Sequence, residues 1–461
     1  MKRFIDRIKE METLKNEYEK EGSSFVVIYG RRRLGKTTLI NEFCKGKKCI
    51  QFLATEEEEQ ENINSFKDVV AEALDNKLLK EAIISSWDTV FDVIADKADG
   101  KEKLIVVIDE FQYLGKSNPA FPSILQKIWD TRLQDKNVML IVCGSLIRMM
   151  KSQVMDYSSA LYGRWTAQIR MRQIPFAYYK SFYKNLSLED QITRYAVTGG
   201  VPIYIELFTG EGDIRELIRK NILNMGSFLY EEPEFLLKNE ISEVGRFFTI
   251  LKTIALGKRK LADISKAVKL PQTQIISYLK TLIELDLVTR EVPVTEDNPE
   301  KSRMGLYRIT DNYIYFWFRF VYPYRAYIDR DETEWVLDKI MASLKTDHIS
   351  FVYEDICREK AFSDLREKLG LIRIGKWWYK QDGEIEIVGI GENKDILFGE
   401  CKYSVNPKGM EVLTKLMEQS EKVQWKNKDR ISHYAIFSHS GFDRSLKKYA
   451  DEHDNVYLYK I

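Results

Sequence analysis

Three sets of residues in this chain stand at spacings that chemistry can use. The first is Gly30-Arg31-Arg32-Arg33-Leu34-Gly35-Lys36-Thr37. Two glycines four residues apart, followed by a lysine and a hydroxyl, let backbone N–H groups turn inward around an anion. The apolar run Phe25–Tyr29 precedes the loop and reads as a buried strand. Thr38–Phe43 follows it and reads as the opening of a helix, so the helix N-terminus adds partial positive charge at the same spot. A nucleotide triphosphate fits this arrangement. Lys36 is placed to reach the β- and γ-phosphates and Thr37 to hold Mg²⁺, with the backbone from Gly30 to Thr38 around them. Arg31, Arg32 and Arg33 either neutralise phosphate or contact another domain.

The second set completes the first. Leu104–Ile108 is an apolar strand that ends in Asp109-Glu110. Asp109 is expected to coordinate Mg²⁺, and Glu110 to orient or deprotonate an attacking water. Val138–Cys143 is a further strand running into Gly144-Ser145, and Ser145 is positioned to read the γ-phosphate or that water. The third set is Glu354, Glu386, Glu400 and Lys402. Glu400-Cys401-Lys402 lies on a predicted strand, where alternation puts Glu400 and Lys402 on one face. Glu386 lies on the preceding strand, in Glu384–Val388. Converging carboxylates could hold Mg²⁺, polarise a phosphodiester and lower the pKa of bound water, with Lys402 stabilising the developing charge.

Positioning these residues takes several bodies. A chain of 461 residues exceeds one ordinary core, and two to four domains are expected. Lys+Arg 71 and Asp+Glu 70 leave a net charge of +1, so any nucleic-acid surface must be local. The five cysteines form no C-x-x-C pair and only four histidines exist, which argues against zinc and fits a reducing cytosol. The N-terminus, Met1-Lys2-Arg3-Phe4-Ile5-Asp6-Arg7, is charged and lacks a hydrophobic run, so no signal segment is expected. No run of 18 apolar residues occurs, so no membrane span is expected. The aromatic stretch Tyr313–Val321 is too short for one and reads as core or a docking surface.

Strands at Cys49–Leu53 and Ala167–Met171 add to those already named. Their alternation with helical segments predicts a mostly parallel sheet covered on both faces. From Phe4 to about Phe208 the chain resembles the archaeal-type ATPases related to the AAA and STAND groups. Phe4–Arg7, the loop at Gly30, Asp109-Glu110, Cys143-Gly144-Ser145, Leu161-Tyr162-Gly163-Arg164 and Thr198-Gly199-Gly200-Val201-Pro202 carry the resemblance. It implies that Phe4–Arg7 lies near the adenine, that the turn at Pro202 approaches the base, and that Arg164 serves as a phosphate sensor. That sensor would act in its own subunit or on a neighbour in an oligomer. A lone arginine there is most often a surface ion-pair partner.

Pro175 to about Glu240 reads as a helical lid. Beyond it, Val244–Leu256, Leu261–Val268 and a helix opening at Leu270-Pro271 precede two strands, Val288–Val292 and Gly305–Ile309. This is the order of a winged helix-turn-helix. Its second motif helix presents Gln272, Thr273, Gln274, Ser277 and Lys280, near Lys258, Arg259 and Lys260. DNA is one partner for such a surface and a protein is another. The C-terminal order is helix Lys345–Gly370, strands Ile374–Lys380, Glu384–Ile390 and Ile396–Lys402, helix Gly409–Val423, strand His433–Ser438, helix Phe442–Glu452 and strand Val456–Tyr459. It resembles the restriction-endonuclease-like, PD-(D/E)XK, superfamily, carried by Glu354, Glu386, Glu400 and Lys402. That superfamily usually has Asp where this chain has Glu386.

The expected architecture is α/β: an ATPase domain over 1–175, a lid over 176–240, a winged helix over 241–330 and a nuclease-like domain over 331–461. The expected activity is that of a cytoplasmic ATP- and Mg²⁺-dependent switch acting on DNA. The alternatives are a non-cleaving nucleotide-dependent scaffold and a DNA-binding regulator.

Overall fold

The computed structural model describes residues 4–98, 100–183, 185–241, 243–379, 383–426 and 429–461. Met1, Lys2 and Arg3 of the charged N-terminus, and Lys380 at the expected strand end, lie outside the described residues. Internal contacts divide the chain into two compact units. One comprises Met1–Phe182, Val201–Ile203 and Leu236–Ser242; the other comprises Tyr183–Gly200, Tyr204–Phe235 and Glu243–Ile461. The stretch expected as a lid over 176–240 is therefore shared between them.

The first unit is built on five parallel strands: β1 (Ser24–Tyr29), β2 (Cys49–Leu53), β3 (Leu104–Asp109), β4 (Val138–Gly144) and β5 (Ala167–Arg170). Their order is β2-β3-β4-β1-β5. Every residue of β1 and β4 is buried, as required of inner strands covered by helices on both faces. The helices include Ile8–Glu19, Lys36–Cys44, Glu59–Ala73 and Trp87–Lys97. Phe66, Trp87 and Phe91 fill one side of the sheet and are fully or nearly fully buried. Because all five strands run the same way, the segments after β1, β3 and β4 open at one edge. That edge is where ligands bind in open parallel sheets.

In the second unit, helices Val244–Ala255, Leu261–Val268 and Gln272–Glu284 precede antiparallel strands β6 (Val288–Glu291) and β7 (Leu306–Ile309). A bridge from Lys260 to Leu306 adds a third edge, completing the winged-helix pattern. The chain then forms helix Ser350–Leu369 and strands β8 (Leu371–Trp378), β9 (Glu384–Gly391), β10 (Asp395–Lys402), β11 (Ile431–Ser438) and β12 (Val456–Lys460). The sheet order is β12-β11-β10-β9-β8. β8, β9 and β10 form an antiparallel meander, whereas β11 and β12 are added in parallel. Ile385, Val388, Ile396, Phe398 and Ile436 pack with Leu413 and Leu416 of helix Met410–Ser420 in one core. β8 starts at Leu371, three residues before the expected strand. Gly370, at φ 58°, ends the preceding helix in the left-handed conformation that glycine tolerates, and the strand follows at once.

Helix Leu188–Thr198 belongs to this second unit. His348 Nε2 lies 2.6 Å from Ala196 O, Asn312 Nδ2 donates to Tyr195 O at 3.2 Å, and His439 Nε2 lies 3.5 Å from Glu189. The aromatic stretch at Tyr313–Val321 is core: Tyr313, Phe316, Trp317 and Phe318 are fully buried. Among the described residues, no helix is long and apolar enough to cross a membrane.

Candidate nucleotide site and a second acidic cluster

The loop after β1 has backbone angles that its sequence was built to take. Gly30 adopts φ 151°, and a Cβ there would meet Met171 O at 2.7 Å. Gly35 adopts φ 86° at the start of helix Lys36–Cys44. Gly30 leaves no room for a side chain, and the left-handed angle at Gly35 favours glycine. Lys36 is only 6% exposed, and its Nζ donates to Gly30 O (2.9 Å) and Arg31 O (3.0 Å). Burial lowers its pKa, while the neighbouring Glu110 and Asp109 carboxylates oppose that shift. The ammonium is thus held at the centre of the loop by the loop's own carbonyls.

The strand ends supply the acids. Thr37 Oγ1 donates to Asp109 Oδ2 at 2.9 Å, and Asp109 Oδ1 accepts the Glu110 N–H at 2.9 Å. Glu110 sits at φ 52°, a turn that swings its carboxylate toward β4. There its Oε2 accepts Ser145 Oγ at 2.6 Å and Ser145 N at 3.3 Å, and also pairs with Gln112 Nε2. Arg32 donates to Tyr113 OH at 2.6 Å and to Ser145 Oγ at 3.4 Å. Gly30 to Thr38, Asp109, Glu110 and Ser145 are therefore brought to one edge of the sheet. Thr37 and Asp109 offer adjacent hard oxygens of the kind Mg²⁺ takes, so the donor set fits that ion.

Three residues support this site; the sequence placed only Arg7, within Phe4–Arg7, near the nucleotide. Arg7 is 4% exposed, and its guanidinium donates to Leu34 O (3.0 Å) within the loop and to Arg172 O (2.8 Å). Phe4–Arg7 thus meets the phosphate loop itself, through Arg7. Gln112 is fully buried beside Glu110 and Ser145. Glu240 accepts the Ile147 N–H at 2.9 Å, two residues beyond Ser145. Burial raises its pKa, against the pull of the Ile147 and Arg148 N–H groups and of the Arg148 and Arg31 charges. Glu240 goes unmarked because its partner lies 93 residues away, and Gln112 joins the site only once the fold brings Ser145 beside Glu110.

Arg164 requires a correction. It lies just before β5, at the opposite edge of the sheet from the phosphate loop: Thr166 N donates to Phe25 O near the start of β1, whereas Gly30 follows the end of β1. Its guanidinium is taken by Asp130, with Nε–Oδ1 at 2.9 Å and Nη2–Oδ2 at 2.8 Å, in an open hollow with Glu21, Gly22 and Trp129. The surface ion pair, and not a phosphate sensor for its own chain, describes it. Pro202 starts helix Pro202–Leu207 and, with Val201 and Ile203, belongs to the unit that holds the loop.

In the second unit, the exposed side of helix Gln272–Glu284 carries Gln272, Thr273, Gln274, Ser277 and Lys280, while Ile275, Leu279 and Leu282 face the core. The loop between β6 and β7 rests on the C-terminal sheet: Val294 N donates to Lys376 O at 2.8 Å, and Arg373 donates to Glu296 O at 3.3 Å. The helix, and not this wing, offers the free polar face.

The expected three-carboxylate metal site is a second correction. Glu386 does reach β10, where its Oε2 accepts the Cys401 N–H at 2.6 Å. Burial, and then the Glu400 and Glu354 charges, push its pKa up to about 8. Lys402, which burial alone would lower, is raised by the adjoining Glu400 carboxylate, with which it pairs. Glu354 pairs with Lys376, a buried lysine that also lies 3.4 Å from Glu384. Among the described residues, no group of three His, Cys, Asp or Glu side chains is arranged to hold a metal ion. Ammonium groups instead engage one carboxylate oxygen each of Glu354 and Glu400.

Fold and site together define a P-loop nucleotide-binding protein that carries a winged-helix region. Residues 4–208 match the family model described as an ATPase domain predominantly from Archaea, 248–312 a winged helix DNA-binding domain, and 317–415 one described as Archaea bacterial proteins of unknown function. The chain belongs to the same family as the uncharacterized protein MJECL04 of Methanocaldococcus jannaschii, to which it is 32% identical over 404 residues, 87% of each chain. It is also 40% identical over 45 residues to the uncharacterized ATP-binding protein MJ0423 of that organism, covering 10% of this chain and 76% of the other. The Walker-type ATPase paby2304 of Pyrococcus abyssi shares the fold, with 20% identity, a TM-score of 0.53, and coverage of 68% of this chain and 96% of that one.

Proposed function

We propose that this protein is a Mg²⁺-dependent ATPase that works as a nucleotide switch for a DNA-binding winged helix. The observation that carries this reading is the unbroken run of hydrogen bonds from Thr37 through Asp109 and Glu110 to Ser145, beside the Lys36 ammonium. Thr37 and Asp109 would hold Mg²⁺, which supplies charge neutralisation on phosphoryl oxygens. Glu110 accepts the proton of the attacking water, and Ser145 and Gln112 hold its carboxylate in place for that role. The adenine nucleotide is preferred because a protein similar to 45 residues of this chain is named an ATP-binding protein. Exposed Gln, Thr and Ser side chains on helix Gln272–Glu284 suit hydrogen bonding to base edges, and Lys280 suits phosphate.

Lys36→Ala is expected to abolish ATP binding in titration calorimetry. Glu110→Gln is expected to keep binding while turnover falls by roughly 10²–10⁴-fold. Unchanged turnover in either variant overturns the assignment.

A second reading concerns the C-terminal sheet. The Glu354–Lys376 and Glu400–Lys402 pairs favour a module that binds DNA or protein without cutting it. A restriction-endonuclease-like domain that cleaves would have to exchange those lysines for an ion. Plasmid nicking in Mg²⁺ or Mn²⁺ decides between them: nicking that Glu400→Ala removes supports the nuclease, and no nicking with either ion supports the binding module.

A further inference from the structure

We propose that Cys44 and Cys49 are a reversible thiol–disulfide pair, oxidised by a peroxide. The spacing C-x-x-x-x-C announces nothing, but the fold closes it. Cys44 ends helix Lys36–Cys44 and Cys49 begins the edge strand β2. The turn between them folds back through Gly46, at φ 71°, and a Lys47 N to Cys44 O hydrogen bond of 3.1 Å. As a result Cys49 Sγ–H donates to Cys44 Sγ at 2.9 Å. A disulfide sulfur separation is about 2.05 Å, so bond formation asks for a movement of roughly 1 Å.

The surroundings set the two sulfurs to different tasks. The Cys49 S–H bond stabilises the Cys44 thiolate and lowers that pKa against the effect of burial, and the nearby Lys47 charge assists. The same bond, together with burial, raises Cys49. Lys47 is fixed beside the pair by donation to Phe43 O at 2.6 Å and by its position 4.7 Å from the Phe43 ring centroid. Cys44 is buried, at 7% exposed, and Cys49 is half-buried; Cys143, Cys357 and Cys401 are buried too, and burial raises the pKa of Cys143 and Cys401 with no opposing hydrogen bond from a thiol. Only the first pair therefore joins a polarised sulfur to a partner with access from an edge strand.

The chemistry balances with hydrogen peroxide as the oxidant. The Cys44 thiolate attacks one peroxide oxygen: an S–O bond forms, the O–O bond breaks, and the leaving hydroxide takes a proton to become water. Cys49 sulfur then attacks the resulting sulfenic sulfur: an S–S bond forms, the S–O bond breaks, and the second oxygen leaves as water with the Cys49 proton. Two thiols lose two electrons and the peroxide gains them. The product ties the far end of the helix that begins with Lys36 and Thr37 to the sheet edge.

The test is peroxide treatment of the full chain, then alkylation under denaturing conditions and peptide mapping. Accessible thiols are expected to fall from five to three per chain. A Cys44–Cys49 linkage is expected within one chain and reversed by dithiothreitol. In Cys49→Ser, oxidation is expected to stop at a sulfenic acid on Cys44 that dimedone traps. In Cys44→Ser, or Cys44→Ala if the helix end rejects serine, Cys49 is expected to stay a thiol at the same dose. Five persisting thiols in the wild type, a linkage to another cysteine or between chains, or equal reactivity of the two single variants overturns the proposal. The wild-type map needs no variant to fold.

Discussion

Replacing Glu386 by glutamine is expected to change how the second unit responds to pH. The carboxyl is held near pKa 8 in the folded chain, against an ordinary 4.5. Burial is the first cause, and the adjacent Glu400 and Glu354 carboxylates add to it. The sign follows from proton counting. Below the unfolded value both states hold the proton. Between the two values the unfolded chain releases it and the folded chain retains it, so stability falls as pH rises through that window. From about pH 5.5 to about pH 8, at roughly 1.4 kcal/mol per pH unit, the loss comes to about 3 kcal/mol. Glutamine has the same shape, its amide oxygen can still accept the Cys401 N–H, and it does not titrate. Glu359, also raised by burial, adds a slope of the same sign to both proteins, so the difference between them isolates Glu386. Urea unfolding at several pH values, read by hydrogen exchange of peptides spanning 384–402, measures it. The variant should overtake the wild type on the alkaline side. Parallel pH slopes in the two proteins would refute the buried, charge-crowded environment assigned to this carboxyl.

Three further outcomes are expected. Arg7→Ala removes hydrogen bonds to Leu34 O and Arg172 O, so denaturation of the first unit should show a loss of about 2–3 kcal/mol, and calorimetry a weaker affinity for ATP. Ser145→Ala leaves Glu110 with Gln112 as its remaining side-chain donor among those described above, and steady-state kinetics should show kcat lowered about tenfold with KM little changed, the size of one hydrogen bond. Lys280→Ala should reduce the slope of log affinity for duplex DNA against log salt by about one, uniformly across sequences, in fluorescence anisotropy at several salt concentrations.

Much of the first unit was legible in the sequence, because its signals are local. The two glycines of the phosphate loop, the apolar runs before it and before Asp109, and the small residues Gly144-Ser145 at the end of β4 each stand within a few positions of the chemistry they serve. The parallel sheet followed from strands alternating with helices, and the winged helix from its order of elements. What stayed hidden depends on closure over long separations. Arg7 meets carbonyls at Leu34 and Arg172, and no period or spacing links those positions. Arg164 was misplaced because only the strand register, Val26 beside Ala167, reveals which end of the sheet it occupies. At the C-terminus, alternation correctly put Glu400 and Lys402 side by side, but the competing partner of Glu354 was Lys376, 22 residues away on β8. A lysine on a half-buried strand gives no advance notice that it will claim a carboxylate.

The membership of helix Leu188–Thr198 in the second unit bears on how this protein can be dissected. A fragment cut at residue 208, where the archaeal ATPase match ends, would carry that helix without the side chains that cover it. The Tyr195 and Ala196 carbonyls would lose Asn312 and His348, and apolar surface would be stranded in water. Such a fragment should be prone to clumping whatever the quality of its nucleotide pocket. Low solubility there would reflect where the scissors fell.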